Sequence, residues 1–222
     1  MMTNLFSIFD PSSSNNLSLN WLSTIMIIFL IPYSFWIIPS RIYFFWFLLT
    51  NYLIQELNSL FQKKKKKFII LYMILFWFIL SNNFMGLFPY IFTPTSHINL
   101  TTILAIPSWL ALILYGWINH TNHMFSHLVP NGTPMTLSIF MVLIETISNL
   151  IRPITLAVRL SANMISGHLL LCLLSNIMEM LPNLFFFITP FMIILLILEM
   201  AVAIIQSYVF ITLSSLYLNE LN

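Results

Sequence analysis

Two long apolar segments near the carboxyl end, residues 135–178 and 185–217, limit the folds that this sequence can adopt. As continuous helices they would be about 66 and 50 Å long, since an α-helix rises 1.5 Å per residue. The hydrocarbon core of a bilayer is only about 30 Å thick. We therefore expect these segments either to bend or to lie strongly tilted, and Pro153 predicts the position of a kink in the first.

Three further apolar runs, at residues 21–38, 68–88 and 101–117, are each about long enough to cross a bilayer once. Apolar residues follow one another in these runs instead of alternating with polar ones, which predicts helices and not strands. Hydrophobic residues make up 59% of the chain and charged residues 6%, a composition that argues against a soluble domain. The sequence thus predicts an all-α, polytopic protein with about five membrane helices in one membrane domain, residues 1–222.

Five consecutive lysines at residues 63–67 set the expected orientation. The positive-inside rule places them on the cytoplasmic or matrix face, so residues 1–20 form an outer-side segment. Residues 41–67 then form an inner-side amphipathic and basic segment, partly in the membrane plane. The lysines are interpreted mainly as a topology anchor, with lipid or partner contact as the alternative. Residues 1–20 contain no basic residue, which is untypical of a secretory signal or an Arg-rich transit peptide.

A His-bearing loop is expected between the third span and residue 134. His120, His123 and His127 have the spacing of three and four that suits a helical metal site. Because no Cys, Asp or Glu lies near them, we predict a polar loop and no metal. Thr133 as N-cap, followed by Pro134 at the first helical position, predicts the start of the long helix.

A line of polar side chains follows one face of residues 135–178. At about 100° per residue, six positions fall within roughly 60° of one another; they are Glu145, Ser148, Arg152, Arg159, Asn163 and Ser166. A charge near the bilayer centre costs roughly 2.5–3.5 kcal/mol on insertion scales, so charges kept there indicate ion movement. A buried ion pair that holds helices together is the alternative, although one pair cannot explain both arginines.

The ionisable residues are expected at three depths. The predicted topology places Glu145 near the inner face, Arg159 in mid-membrane, and His168 with Glu199 in the outer half. The Arg159 guanidinium keeps its charge and cannot relay a proton, whereas the other three side chains can. A fixed cation between titratable groups indicates a proton path with a separator. Helix packing is the alternative role for Glu199 and for Gln206, which share one face.

Several motifs resemble subunit a of the ATP synthase Fo sector in its mitochondrial form. They are residues 83–89 (NFMGLFP), 130–134 (PNGTP), 144–148 (IETIS), 156–163 (LAVRLSAN), 167–168 (GH) and 198–206 (LEMAVAIIQ). The resemblance covers most of the chain from about residue 68 onward and is most specific around Arg159. The lysine run matches no motif of the family.

The resemblance implies a role for each polar residue. Arg159 matches the family's essential arginine, which faces the rotating ring of c subunits, and Glu145 matches the acidic residue of the inner half-channel. His168 and Glu199 match the pair that lines the outer half-channel. Residues 135–217 match the family's long, tilted, channel-forming hairpin. Asn163, Gln206 and Arg152 match supporting polar positions of the family.

By the same resemblance, the chain would be the proton-channel stator of ATP synthase in the mitochondrial inner membrane. It would pass protons to and from the c ring and contact other Fo and peripheral-stalk subunits and lipid. It would need no cofactor or metal, bind no nucleic acid and carry out no bond chemistry itself.

Two other classes remain open from the residues alone. A membrane subunit of a respiratory proton pump would be expected to carry Lys and Glu chains across several helices, but no lysine lies beyond Lys67. A secondary transporter would be expected to show an internal repeat, and none is found.

Overall fold

The computed structural model of the chain describes residues 5–14, 17–26, 32, 36–61, 67–119, 121–129 and 134–220. Short 3₁₀ turns at Leu5–Phe9 and Leu19–Leu22 come first. The α-helices follow in the order α1 (Ser23–Met26), α2 (Arg41–Leu60), α3 (Ile69–Gly86), α4 (Ile98–Asn119), α5 (Thr121–Leu128), α6 (Met135–Met180) and α7 (Phe185–Glu220). The predicted all-α class is confirmed.

Four of these helices, α3, α4, α6 and α7, are long and apolar enough to cross a membrane. The predicted first span, residues 21–38, begins in the Leu19–Leu22 turn and α1, but most of it lies outside the described residues. Many large apolar side chains on the four helices are exposed, as lipid-facing surfaces require. The prediction of a polytopic membrane protein is confirmed.

The last two helices are the longest, with 46 residues in α6 and 36 in α7. At 1.5 Å per residue they are about 69 and 54 Å long. A tight turn at Pro182–Leu184 joins them, and α6 continues through Pro153 without a break in its helical assignment. Helices of this length fit a bilayer only at a strong tilt. The predicted long, tilted hairpin is therefore present.

Helix α2 covers most of the segment that was predicted to be amphipathic. Ser40 caps it, because its hydroxyl accepts a hydrogen bond from the Tyr43 backbone N–H at 3.3 Å. It packs on α3 through Trp46 and Trp77, whose ring centroids lie 3.7 Å apart. Lys67 is the one residue of the lysine run inside the described part of the chain. The orientation of α2 relative to the membrane plane stays a prediction.

Two local predictions between α4 and α6 were wrong. Residues Thr121–Leu128 form helix α5 and not a loop, because no Gly or Pro interrupts them. Pro134 has an extended backbone with ψ 145°, so it takes the N-cap position and α6 begins one residue later than predicted. His120 and Thr133 lie outside the described residues.

Contacts between distant residues show which elements share an end of the molecule. Trp21 packs against Phe92 and His97 of the α3–α4 connection, at 5.5 and 5.2 Å between ring centroids. At the other end, the Asn219 side-chain amide donates to the Leu60 carbonyl at 2.6 Å. The amino-terminal segment thus shares an end with the α3–α4 connection, and the end of α7 lies beside the end of α2. These two shared ends agree with the predicted order of the membrane crossings. Which end faces the inner side of the membrane remains a prediction.

Candidate functional site

A carboxylate is buried between the two long helices. Glu199 of α7 is only 8% exposed, and it lies against Gly167 of α6. A Cβ atom added to Gly167 would lie 2.5 Å from Glu199 Oε1 and 2.9 Å from its Cδ. Glycine is therefore required at this position for the carboxylate to occupy its place. The sequence alone did not indicate this role, although Gly167 is one of only four glycines in the chain.

His168 and Glu199 line one pocket of about 520 Å³ between α6 and α7. The remaining wall is largely apolar and includes Leu170, Leu174, Phe191, Leu195 and Leu198. Both Glu199 oxygens and the His168 Nε2 are buried, and they make no hydrogen bond to any residue that the structure describes. A buried polar atom without a hydrogen-bond partner is energetically costly. Because these atoms make no hydrogen bond to a described residue, they can accept or release a proton without breaking such a bond.

Arg159 lies on the exposed side of α6, together with Asn163 one turn further on. The neighbouring Ala157 and Leu160 face the core and are fully buried. No carboxylate of the described part of the chain lies within salt-bridge distance of the Arg159 guanidinium. A cation on the outer surface of a membrane helix is expensive against lipid, so this face requires a polar or charged partner.

Asn163 and Gln206 connect α6 to α7 beside Arg159. The Asn163 side-chain Nδ2 donates to Gln206 Oε1 at 3.0 Å, and Gln206 is 5% exposed. Gln206 therefore makes the interhelical hydrogen bond that was one of its two expected roles. The bond lies one helical turn from Arg159, and Asn163 also lines the Glu199 pocket.

Glu145 and Arg152 lie on the other side of Arg159 along α6. Arg152 Nη2 and Glu145 Oε1 lie 4.0 Å apart, and both side chains are about one-third exposed. Because both residues belong to α6, this ion pair lies within one helix and does not join two helices. The link to α7 is instead made by Arg152, whose guanidinium carbon lies 5.0 Å from the centre of the Tyr217 ring. Arg152 and Tyr217 also line a pocket of about 250 Å³ that reaches to α4 and α5.

The ionisable residues thus occupy three separate levels of α6. Glu145 and Arg159 are fourteen residues apart in the sequence, or about 21 Å along the helix axis. Arg159 and His168 are nine residues apart in the sequence, or about 13.5 Å along the axis by the same measure. Among the described residues, Glu145, Arg159 and His168 make no ion pair with one another, so the arrangement consists of two polar sites with an exposed cation between them.

Comparison with known proteins identifies relatives that are similar over nearly the whole chain. A family model described as ATP synthase A chain matches residues 17–219. The chain is similar to "ATP synthase subunit a" of Anopheles quadrimaculatus, with 57% identity over 226 residues that cover all of both chains. The proteins of the same name from Drosophila melanogaster and Locusta migratoria are 55% identical over 227 residues and 56% identical over 223 residues. The first covers all of both chains and the second 99% of each.

Proposed function

This chain belongs to the ATP synthase A chain family, and from that premise we propose how its charged residues conduct protons. It is the proton-channel stator subunit of the Fo sector, a multi-pass protein of the mitochondrial inner membrane. Its partners are the c ring, other Fo and peripheral-stalk subunits, lipid and the protons that it conducts. The two alternative classes, a respiratory pump subunit and a secondary transporter, are therefore set aside.

The outer half-channel runs through the pocket shared by His168 and Glu199. Burial of Glu199 and of the His168 Nε2, the apolar wall and the absence of hydrogen bonds from Glu199 to described residues support this role. A proton that enters here is passed to a carboxylate on the c ring. Each charge that crosses the membrane potential gains roughly 2.3 kcal/mol per 100 mV.

Arg159 separates the two half-channels and attracts the ring carboxylate in its ionised form. The observation that carries this proposal is its place on the exposed face of α6, between the two polar sites and without a salt-bridge partner among described residues. Since a guanidinium does not lose its proton, protons cannot pass from one half-channel to the other through Arg159. They must instead travel on the rotating ring.

The inner half-channel receives the proton near Glu145, and Arg152 acts as the counter-ion of that carboxylate. Their 4.0 Å approach and the neighbouring pocket support this assignment. Asn163 and Gln206 have a supporting role, because they hold α6 and α7 together beside Arg159.

The subunit itself makes and breaks no covalent bond and needs no cofactor or metal. It converts proton movement into ring rotation, and other chains of the complex synthesise ATP. Residues 135–217 form the channel, with residues 1–20 on the outer side and residues 41–67 on the inner side.

Cysteine cross-linking to the c ring tests whether the exposed face of α6 is the ring-facing surface. In a Cys172→Ser background, which removes the only natural cysteine, Ala162→Cys should form disulfides with cysteines placed beside the c-subunit carboxylate. Ala157→Cys is the matched control, because Ala162 is exposed and Ala157 is fully buried. Equal cross-linking at both positions, or none at Ala162 in the assembled complex, would contradict this arrangement.

A further inference from the structure

The amino-terminal turn Leu5–Phe9 packs against α6 at the level of the outer pocket. The ring of Phe9 meets the imidazole of His168 edge to face, with 6.4 Å between centroids and 79° between planes. Phe9 is partly buried by this packing, whereas Phe6 of the same turn is 68% exposed. The proton path described above assigns no role to either phenylalanine.

Hydrogen bonds hold the segment that follows Phe9 in a defined shape. The Asp10 carboxylate accepts from the Ser12 backbone N–H at 3.0 Å, and the Ser13 hydroxyl accepts from the Leu19 backbone N–H at 3.2 Å. The Asn20 side-chain amide donates to the Asp10 carbonyl at 3.5 Å. The Asp10 backbone N–H also donates to the Ser7 carbonyl at 3.3 Å. Through Asp10, the Leu5–Phe9 turn is therefore tied to the start of the Leu19–Leu22 turn, and Phe9 belongs to a hydrogen-bonded element.

The position of Phe9 relative to the pocket is informative. His168 lines the pocket with Glu199, but Phe9 does not, so the phenyl ring contacts the imidazole from outside the pocket. The imidazole therefore lies between an aromatic ring and the cavity that holds the carboxylate. A contact of this kind restricts the orientation of the imidazole and keeps water away from the side that it covers.

We propose that Phe9 is a positioning residue for proton entry, which acts on His168 from outside the pocket of the outer half-channel. Phe9 holds the His168 ring in the orientation in which it faces the pocket, and its apolar ring covers the side of the imidazole that faces away from the pocket. This inference rests on the proposed relay role of His168. It adds a residue from the amino-terminal segment to a channel otherwise built by α6 and α7.

Phe9→Ala and Phe6→Ala form a matched pair that tests the inference, because both remove a phenyl ring from the same turn. ATP synthesis is measured in membrane vesicles containing the assembled complex, at a low driving force where proton entry limits the rate. We expect Phe9→Ala to slow synthesis roughly two- to tenfold, the range set by the energy of one aromatic pair. Phe6→Ala should leave the rate of ATP synthesis unchanged. Phe9→Tyr retains an aromatic ring and should therefore keep the rate of the unmodified complex. Phe9→Leu retains most of the apolar volume but lacks the aromatic ring. It replaces Phe9→Ala in the same measurement if the Phe9→Ala complex does not assemble.

The same substitutions in a His168→Gln background separate positioning from a structural role. If Phe9 acts through the imidazole, Phe9→Ala should cause no further loss once His168 is replaced. Multiplied losses in the double variant, or equal losses from Phe6→Ala and Phe9→Ala, would overturn the inference. A normal rate in His168→Gln alone would refute the relay role itself. A slow His168→Gln variant with a normal Phe9→Ala variant would refute only the positioning role.

Discussion

Asn163 and Gln206 join the two long helices through a hydrogen bond of 3.0 Å between Nδ2 and Oε1. On α6 the bond lies one turn from Arg159, and on α7 it lies two turns from Glu199. The spacing between the proposed separator and the outer carboxylate therefore depends on this contact. A polar bond placed here also resists sliding of one apolar helix along the other, because dispersion contacts alone set no register.

Gln206→Leu should weaken the hairpin by a modest amount. Interhelical hydrogen bonds in membrane proteins contribute about 0.6 kcal/mol on average, with a maximum near 1.7 kcal/mol. We expect a small decrease in the thermal stability of the purified complex. A double-mutant cycle with Asn163→Leu isolates the pair, because the second substitution should cost little once the first has removed the bond. Fully additive losses would show that the two amides do not stabilise each other.

The helical hairpin could be predicted because its signals are local. Apolar composition continues from residue 135 to residue 178, and the Leu-Pro-Asn sequence interrupts it at residues 181–183. The structure places the boundaries at Met135–Met180 and Phe185–Glu220. The helical period also brought Arg159 and Asn163 to one face, where both are exposed. These properties depend only on residues within one helix.

Features that depend on a second element could not be predicted. The space that Gly167 leaves for Glu199 requires the register of α6 against α7, and the Phe9–His168 contact joins residues 159 positions apart. The periodicity of apolar and polar residues within one helix does not predict contacts with another element. The pairing of Glu145 with Arg152 is different, because a spacing of seven on one helix was available from the sequence. A buried ion pair that holds helices together was the alternative interpretation of the polar stripe, whereas this pair is partly exposed and lies within α6.

Gly167→Ala should displace the Glu199 carboxylate without disrupting the packing of the helices. The added methyl group would overlap Oε1 and Cδ, which lie at the flexible end of the Glu199 side chain and can move away. Since a misplacement of about 1 Å can cost up to 100-fold in rate, we expect ATP synthesis to fall roughly 10- to 100-fold in a complex that still assembles. The measurement is ATP synthesis per assembled complex.

Gly86→Ala is the control for this experiment. A Cβ atom at Gly86 would lie 2.7 Å from Thr93 Cγ2, which is a comparable overlap that does not involve the Glu199 carboxylate. It should lower stability but leave synthesis per assembled complex unchanged. If both variants reduced the rate equally, the effect of Gly167→Ala would reflect general packing and not the position of Glu199.

Glu199→Gln should slow proton entry while leaving assembly intact. Glutamine keeps the shape of the side chain but cannot bind and release a proton at pH 7. Loss of a proton-transfer group typically costs 100-fold or more, and we expect a decrease of about that size in ATP synthesis. Glu56→Gln on α2 is a control outside the proposed path and should have little effect. Normal synthesis in the Glu199→Gln complex would favour the alternative role of helix packing.

Arg159→Ala should abolish ATP synthesis and open a passive proton leak, because no fixed cation then separates the two half-channels. Arg159→Lys should also fail largely, since an ammonium group lacks the planar fork of guanidinium and can lose its proton. Proton flux and ATP synthesis are measured together in vesicles that contain the assembled complex. The two readouts distinguish a leaking channel from a blocked one.

Arg152→Ala is the matched control for Arg159, because it removes the same charge from the same helix two turns away. Arg152 is already engaged by Glu145 at 4.0 Å and by the Tyr217 ring, whereas Arg159 is exposed between the two polar sites. We therefore expect Arg152→Ala to reduce synthesis without opening a leak. If Arg159→Ala assembles, synthesises ATP and does not leak, the separator role is wrong and Arg159 is only a structural counter-ion. An equal leak from both variants would mean that separation is not a property of Arg159 alone.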